Sequence, residues 1–289
     1  MFTTPIHVIG ATGRSGLALC RTLAARGNTI IPVIRNPGRL AKDLPPARIA
    51  DLTGPRARLA AALSDAKLIV TTAHARHIGA ILAASAPDVP LIALGSTRKF
   101  TQWPDAHGLG VLAGEKALHD AGRPGILLHP TMIYGAEGED NVQRLAALLK
   151  ILPFVPLPEG GRALVQPIYQ GDVTRSIVAA LDLAAQGAVR APESLVIAGP
   201  EAMPYRNFVQ AIARAAGLPR RRILSLPSSL LMAVAPLVAR LPKMPAIGRD
   251  EIRRLLEDKA FDTEPMRARL GVMSIPFEQG LSQLFTPSS

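Results

Sequence analysis

The chain predicts a doubly wound parallel α/β sheet (a Rossmann fold) with a smaller, mostly helical C-terminal lobe, and three observations carry that expectation. A β-branched run (Ile6, Val8, Ile9) passes straight into Gly10-x-x-Gly13-x-x-Gly16 and then into an apolar-periodic segment with Leu17, Leu19 and Leu23. This is a strand, a tight turn and a helix, the context in which glycines let backbone N–H groups approach a pyrophosphate. Short, near-continuous apolar runs then alternate with helical patterns, as in a sheet buried on both faces. Finally, 289 residues that are 48% hydrophobic and 19% charged suffice for a large core.

In order, strands are expected at 5–10, 29–34, 47–50, 67–72, 90–95, 125–129 and 194–198. Helices are expected at 15–26, 55–63, 77–86 and 109–121. Beyond Gly135 the pattern changes. Pro153, Pro156 and Pro158 lead to Glu159-Gly160-Gly161, and Val165–Tyr169 reads as a returning strand. Asp172 stands where an N-cap belongs, before a helix over 173–183. Helical patterns follow at 205–216, 228–239 and 250–258. Residues 1–135 and 165–200 are therefore assigned to the nucleotide domain, and 136–164 and 201–289 to the lobe.

The net charge of +11 invites a nucleic-acid or membrane reading. Nucleic acid is disfavoured: the basic clusters Arg220-Arg221-Arg222 and Arg253-Arg254 are short and lack interleaved aromatics. The apolar run Leu230–Ala235 is too short to span a bilayer, though peripheral membrane or protein-complex association stays open. One cysteine, Cys20, and a first strand that begins at once are the pattern of a cytoplasmic protein.

The ordered landmarks resemble the short-chain dehydrogenase/reductase superfamily in its extended or atypical, epimerase/dehydratase-like branch. They are Gly10-Ala11-Thr12-Gly13-Arg14-Ser15-Gly16, Arg35-Asn36-Pro37, Asp51-Leu52, Leu94-Gly95-Ser96-Thr97 and His129-Pro130-Thr131-Met132-Ile133-Tyr134-Gly135. Gln166-Pro167-Ile168-Tyr169 with Asp172, and Arg269-Leu270-Gly271 before Phe277-Glu278-Gln279-Gly280-Leu281, complete the series.

That resemblance implies a nicotinamide cofactor held by Gly10, Thr12, Gly13, Arg14, Ser15 and Gly16. Asp51 and Leu52 would meet the adenine, Thr72 and Ala73 the nicotinamide ribose, with Pro130 and Thr131 closing the site. An NAD site places an acid at the end of the second strand. Here no acid occurs between Ile30 and Lys42, and Arg35 stands ready to pair with a 2′-phosphate. NADP(H) is thus preferred over NAD(H). His74-x-x-His77 has too few neighbours for zinc, so no metal is expected.

The superfamily's Tyr-x-x-x-Lys pair is missing. Tyr134, Tyr169 and Tyr205 are followed four residues later by Gly138, Val173 and Val209. Matching Glu115-Lys116-Ala117 to the family's helix end puts His107 at the tyrosine position and Val111 at the lysine position. The catalytic candidates are therefore Ser96, to hold a carbonyl or simply cap a turn, and His107 or Tyr134 as proton donor. Lys99 and Lys116 are expected in solvent. Pro153–Leu157, Ile168 and Leu226–Val238 are expected to line a pocket for a small apolar or carbonyl substrate. Two functions follow from the resemblance: an NADP(H)-dependent reductase or epimerase-like enzyme, or a non-catalytic nucleotide-binding protein (a redox sensor or a complex I accessory-type scaffold) in which NADPH is structural.

Overall fold

The computed structural model describes residues 4–136, 141–152, 154–238 and 248–285. The strands are β1 (Ile6–Ile9), β2 (Ile30–Ile34), β3 (Arg48–Ile49), β4 (Ile69–Thr71), β5 (Leu91–Leu94), β6 (Gly125–Pro130) and β7 (Ile133–Tyr134). Then come β8 (Phe154–Pro158), β9 (Leu164–Val165), β10 (Ile168–Tyr169), β11 (Pro192–Ile197), β12 (Met203–Pro204) and β13 (Arg222–Leu226). The helices are α1 (Arg14–Ala25), α2 (Arg56–Ala62), α3 (Ile78–Ala84), α4 (Ala106–Asp120), α5 (Asn141–Ile151) and α6 (Gln170–Ala185). Those of the C-terminal part are α7 (Tyr205–Ala215), α8 (Ser228–Val238), α9 (Arg249–Arg254), α10 (Glu264–Leu270) and α11 (Phe277–Phe285).

Seven strands form one parallel sheet in the order β11-β6-β5-β4-β1-β2-β3. The order reverses between β1 and β4, so their carboxyl ends open a crevice, which is where doubly wound sheets bind ligands. Apolar side chains fill both faces. Leu19 and Leu23 of α1 and Ile177 and Leu181 of α6 pack one side, and Leu59, Ile78, Ile81 and Leu118 pack the other. A third core joins Val142, Leu149, Val155, Leu157, Phe208, Ile212, Phe277 and Leu281. No helix among the described residues is long and apolar enough to cross a membrane.

Several expectations need correction. Val165–Tyr169 is not one strand: β9 pairs antiparallel with β12, while β10 pairs parallel with β7. Asp172 is not an N-cap. α6 starts earlier, with Tyr169 at its N-cap, because the buried Asp172 carboxylate is needed inside the first turn. There it accepts from the Ile275 N–H at 2.9 Å and pairs with Arg175, tying the C-terminal segment to α6. α9 ends at Arg254, short of the expected 258.

The expected apolar pocket does not form as one surface. Ile168, Val155 and Leu157 are buried in two different cores, and much of α8 faces outward. Pro153 and the side chains of residues 236–238 lie outside the described residues. Lys99 is no solvated lysine either. Only 10% of its side chain is exposed, and its ammonium donates to both Glu115 carboxylate oxygens at 2.6 and 2.7 Å. Lys116, by contrast, lies exposed beside Asp120.

Candidate nucleotide and active site

The first glycine turn is built around contacts that no side chain could share. Gly10 has φ +84°, and a Cβ there would sit 2.9 Å from both the Ala73 nitrogen and the Thr72 hydroxyl. A Cβ on Gly16 would lie 2.1 Å from the Gly10 carbonyl oxygen, so α1 can reach β1 only through glycine. Gly13 differs. Its N–H donates to the Gly10 carbonyl at 2.9 Å, and a Cβ would meet only that same oxygen, at 3.3 Å. Gly13 thus opens outward at the N-terminus of α1 and carries no side-chain cap. First-turn N–H groups have no intrahelical partner, and the positive end of the helix favours an anion there. This cradle fits a pyrophosphate.

Thr12 is half-buried in the turn, and Arg14 is exposed beside Gly13. The Ser15 hydroxyl donates to the Gln170 side-chain oxygen at 2.8 Å, joining the turn to α6. From the other side of the crevice, the Thr72 hydroxyl donates back to the Gly10 carbonyl at 3.2 Å. The Thr72 hydroxyl is thus directed to the glycine loop, at the carboxyl end of β4. Ala73 follows, with its N–H directed to the Thr71 hydroxyl at 3.3 Å.

Arg35 stands exposed just past β2. Asp51, beyond β3, accepts from the Thr53 N–H and hydroxyl at 2.9 and 2.8 Å. Those bonds, with a smaller contribution from Arg35, hold its carboxyl below the usual range. Leu52 packs half-buried against the α2 side of the sheet. Thr97 donates to the Pro130 carbonyl at 3.2 Å. Thr131, whose N–H bonds the Ile197 carbonyl, has a buried hydroxyl with no hydrogen-bond partner among the described residues.

Across the carboxyl ends of β4 and β5, His74 and His107 meet edge to face, ring centroids 4.4 Å apart. His74 Nδ1 accepts from the Arg76 N–H at 3.1 Å, so in the neutral ring the proton is on Nε2. That Nε2 is buried and unbonded among the described residues. Burial, then the neighbouring His107, Arg76 and His77, push the His74 pKa down to about 4. The pKa of His107 is also lowered, chiefly by burial and by Arg98. Both rings are uncharged at neutral pH. Among the described residues no group of three His, Cys, Asp or Glu side chains gathers to hold a metal.

Ser96 caps the 3-10 turn that follows β5, its hydroxyl accepting from the Arg98 N–H at 3.1 Å, and its own N–H donates to His129 Nδ1 at 3.3 Å. His129 is buried, with its pKa pushed down to about 4 by burial and by Lys99. Because Nδ1 accepts, the neutral ring carries its proton on Nε2, 3.6 Å from Glu115 and 3.3 Å from the Lys99 ammonium. A Cβ on Gly95 would strike this ring at 2.4 Å. The cluster of Lys99, Glu115 and His129 therefore supports the Ser96 turn from beneath. An isolated histidine in the apolar run Leu127-Leu128-His129 opposite Gly95 is the sequence signal for it.

Tyr134 does not reach the crevice. Only 1% exposed, it packs edge-on against Phe277, and its hydroxyl donates towards the Phe277 carbonyl at 3.4 Å. Burial drives its pKa upward. This hydroxyl anchors α11 and is removed from any donor role at the cofactor.

With this geometry in hand, comparison with known proteins is informative at the level of fold. No family model and no curated protein sequence matches the chain. Solved structures do. A nucleoside-diphosphate-sugar epimerase from Staphylococcus aureus superposes with a TM-score of 0.75 at 13% identity, over 96% of this chain and 100% of that one. The Escherichia coli NADPH-dependent quinone oxidoreductase, complexed with NADPH, gives 0.73 at 18% identity over 97% and 100%. The Bacillus cereus UDP-glucuronic acid 4-epimerase, in complex with UDP-glucuronic acid and NAD, gives 0.69 at 16% identity over 96% of each chain. At these identities the likeness is one of fold, the doubly wound parallel sheet. The likeness runs through the helical C-terminal region as well as the sheet.

Proposed function

We propose that the protein is an NADP(H)-dependent oxidoreductase or epimerase-like enzyme acting on a small carbonyl substrate. The observation that carries this reading is the cradle at Gly10, Gly13 and Gly16, with Arg35 rather than a carboxylate beyond β2. The first-turn N–H groups of α1 hold the pyrophosphate, and Arg35 and Arg14 meet the 2′-phosphate. Asp51 and Leu52 face the adenine, while Thr72, Ala73, Pro130 and Thr131 line the nicotinamide end. When bound, NADPH supplies a hydride. His107, held neutral by its surroundings, donates an N–H bond to the substrate oxygen, and solvent delivers the proton. Ser96 orients the same oxygen with its hydroxyl proton, since its lone pair is engaged by Arg98.

The test is NADPH binding by calorimetry, then oxidation in the presence of carbonyl, enone and quinone compounds. Replacing His107 by Ala should lower kcat about 100-fold without changing NADPH affinity. A second reading rests on the missing Tyr-x-x-x-Lys pair and the burial of Tyr134. There the nucleotide is a structural part of the protein, and NADPH raises the Tm but is oxidised by none of these compounds.

A further inference from the structure

Charge is unevenly spread along this chain. Residues 202–249 contain eight Lys and Arg residues and no Asp or Glu. Residues 141–158 add Arg144 and Lys150, again without an acid. The two segments fold against each other: β8 and β13 pair in parallel, with Phe154 opposite Arg222 and Pro156 opposite Leu224. Strand periodicity then sorts the side chains. Val155, Leu157 and Ile223 turn into the third core, while Phe154, Pro156, Arg222 and Leu224 turn outward.

The outward face is unusually bare for its chemistry. Phe154 is 48% exposed, Leu224 44% and the nearby Ile151 62%. β13 runs through Pro227 directly into α8, which has no charged residue, and there Leu230 is 48% exposed. Leu231, Met232 and Val234 are only partly covered. A helix this apolar belongs in a core or against another apolar phase. Interleaved with Ile151, Phe154 and Leu224 stand the exposed cations Lys150, Arg220 and Arg222, the last directly opposite Phe154. Among the described residues, the acids at this edge are already engaged: Glu159 accepts from the Ser228 N–H at the start of α8, and Asp250 and Glu251 of α9, which packs against α8, pair with Arg253 and Arg254.

We propose that this face, Ile151, Phe154, Leu224 and Leu230 with Lys150, Arg220 and Arg222, docks on an anionic lipid surface. The apolar side chains enter the boundary between headgroups and acyl chains, and the cations meet lipid phosphates. Cations interleaved with apolar groups suit a lipid interface; a protein partner calls for an apolar centre ringed by polar residues. Nucleic acid would call for several stacking aromatics, and Phe154 is the single one in this set. The proposal is independent of whether the crevice is catalytic.

The experiment is flotation of the full chain with vesicles of phosphatidylcholine alone or of phosphatidylcholine mixed with phosphatidylglycerol. The expected result is capture by the anionic vesicles only, reversed by high salt. Arg220→Glu with Arg222→Glu, and separately Leu224→Glu with Leu230→Glu, should each cut the bound fraction about tenfold or more. All four positions are partly or fully exposed, so unchanged thermal unfolding verifies the fold of both variants. Failure of the natural chain to float with anionic vesicles overturns the proposal, as does undiminished binding of both variants. A dimer in sedimentation velocity that the Leu224→Glu, Leu230→Glu variant abolishes, without vesicle binding, also overturns it, assigning the face to a second copy.

Discussion

The Lys99 ammonium and the Glu115 carboxylate form a two-pronged pair at 2.6 and 2.7 Å beneath the Ser96 turn, in contact with the buried ring of His129. Removing one partner of a largely buried pair leaves the other uncompensated. Lys99→Met should therefore destabilise the fold by about 3 kcal/mol in urea unfolding, somewhat less than a fully buried pair because Glu115 keeps some exposure. Lys99→Met combined with Glu115→Leu should recover most of that loss. Equal instability of single and double variants would contradict the arrangement.

The glycine turn separates packing from binding. Gly16→Ala forces a methyl against the Gly10 carbonyl and should both destabilise the protein and abolish nucleotide binding. Gly13→Ala meets nothing closer than 3.3 Å and should fold normally. It should still weaken NADPH binding about tenfold or more, because the methyl projects where the diphosphate approaches the backbone. Thermal unfolding and calorimetry on the two variants check this contrast.

Arg35→Glu should weaken NADPH at least about tenfold while leaving NADH unchanged or improved, since only NADPH carries the 2′-phosphate that a guanidinium can grip. Parallel titrations with both nucleotides decide it. Equal losses would remove Arg35 from the site.

Acid should unfold the protein in a defined window. His129 and His74 have pKa values pushed down to about 4, against about 6.5 in an unfolded chain. The unfolded state then binds more protons, so stability is complete above about pH 6.5 and is lost as pH falls towards 4. For the buried His129 the loss approaches about 3 kcal/mol; the less buried His74 adds less. Urea midpoints across this range should fall with pH, and His129→Asn should flatten the slope.

Legibility in the sequence followed physical locality. The sheet strands and the helices beside them could be read because each is written in its own segment, apolar runs for strands and 3.6-residue spacing for helices. Gly10, Gly13 and Gly16 were legible for the same reason. Lys99 was misread because its partners, Glu115 and His129, are 16 and 30 residues away, and a lone lysine carries no local sign of burial. Asp172 was misread because the group it accepts from, the Ile275 N–H, is 103 residues distant. β8 and β13 went unseen because their own segments carry no strand signal: β8 holds Pro156 and Pro158, and β13 is mostly exposed. Tyr134 looked like a candidate donor by its position after β6, and only the packing of Phe277 and Gly280 around its ring reveals an anchor.

The route of the chain also has a consequence for its birth on the ribosome. The sheet lacks one of its two edge strands until β11 has emerged, and the third core waits for Phe277 and Leu281. A nascent chain halted before those residues would bare Tyr134 and Phe208 to water. Products truncated before Phe277 should accordingly recruit chaperones or aggregate.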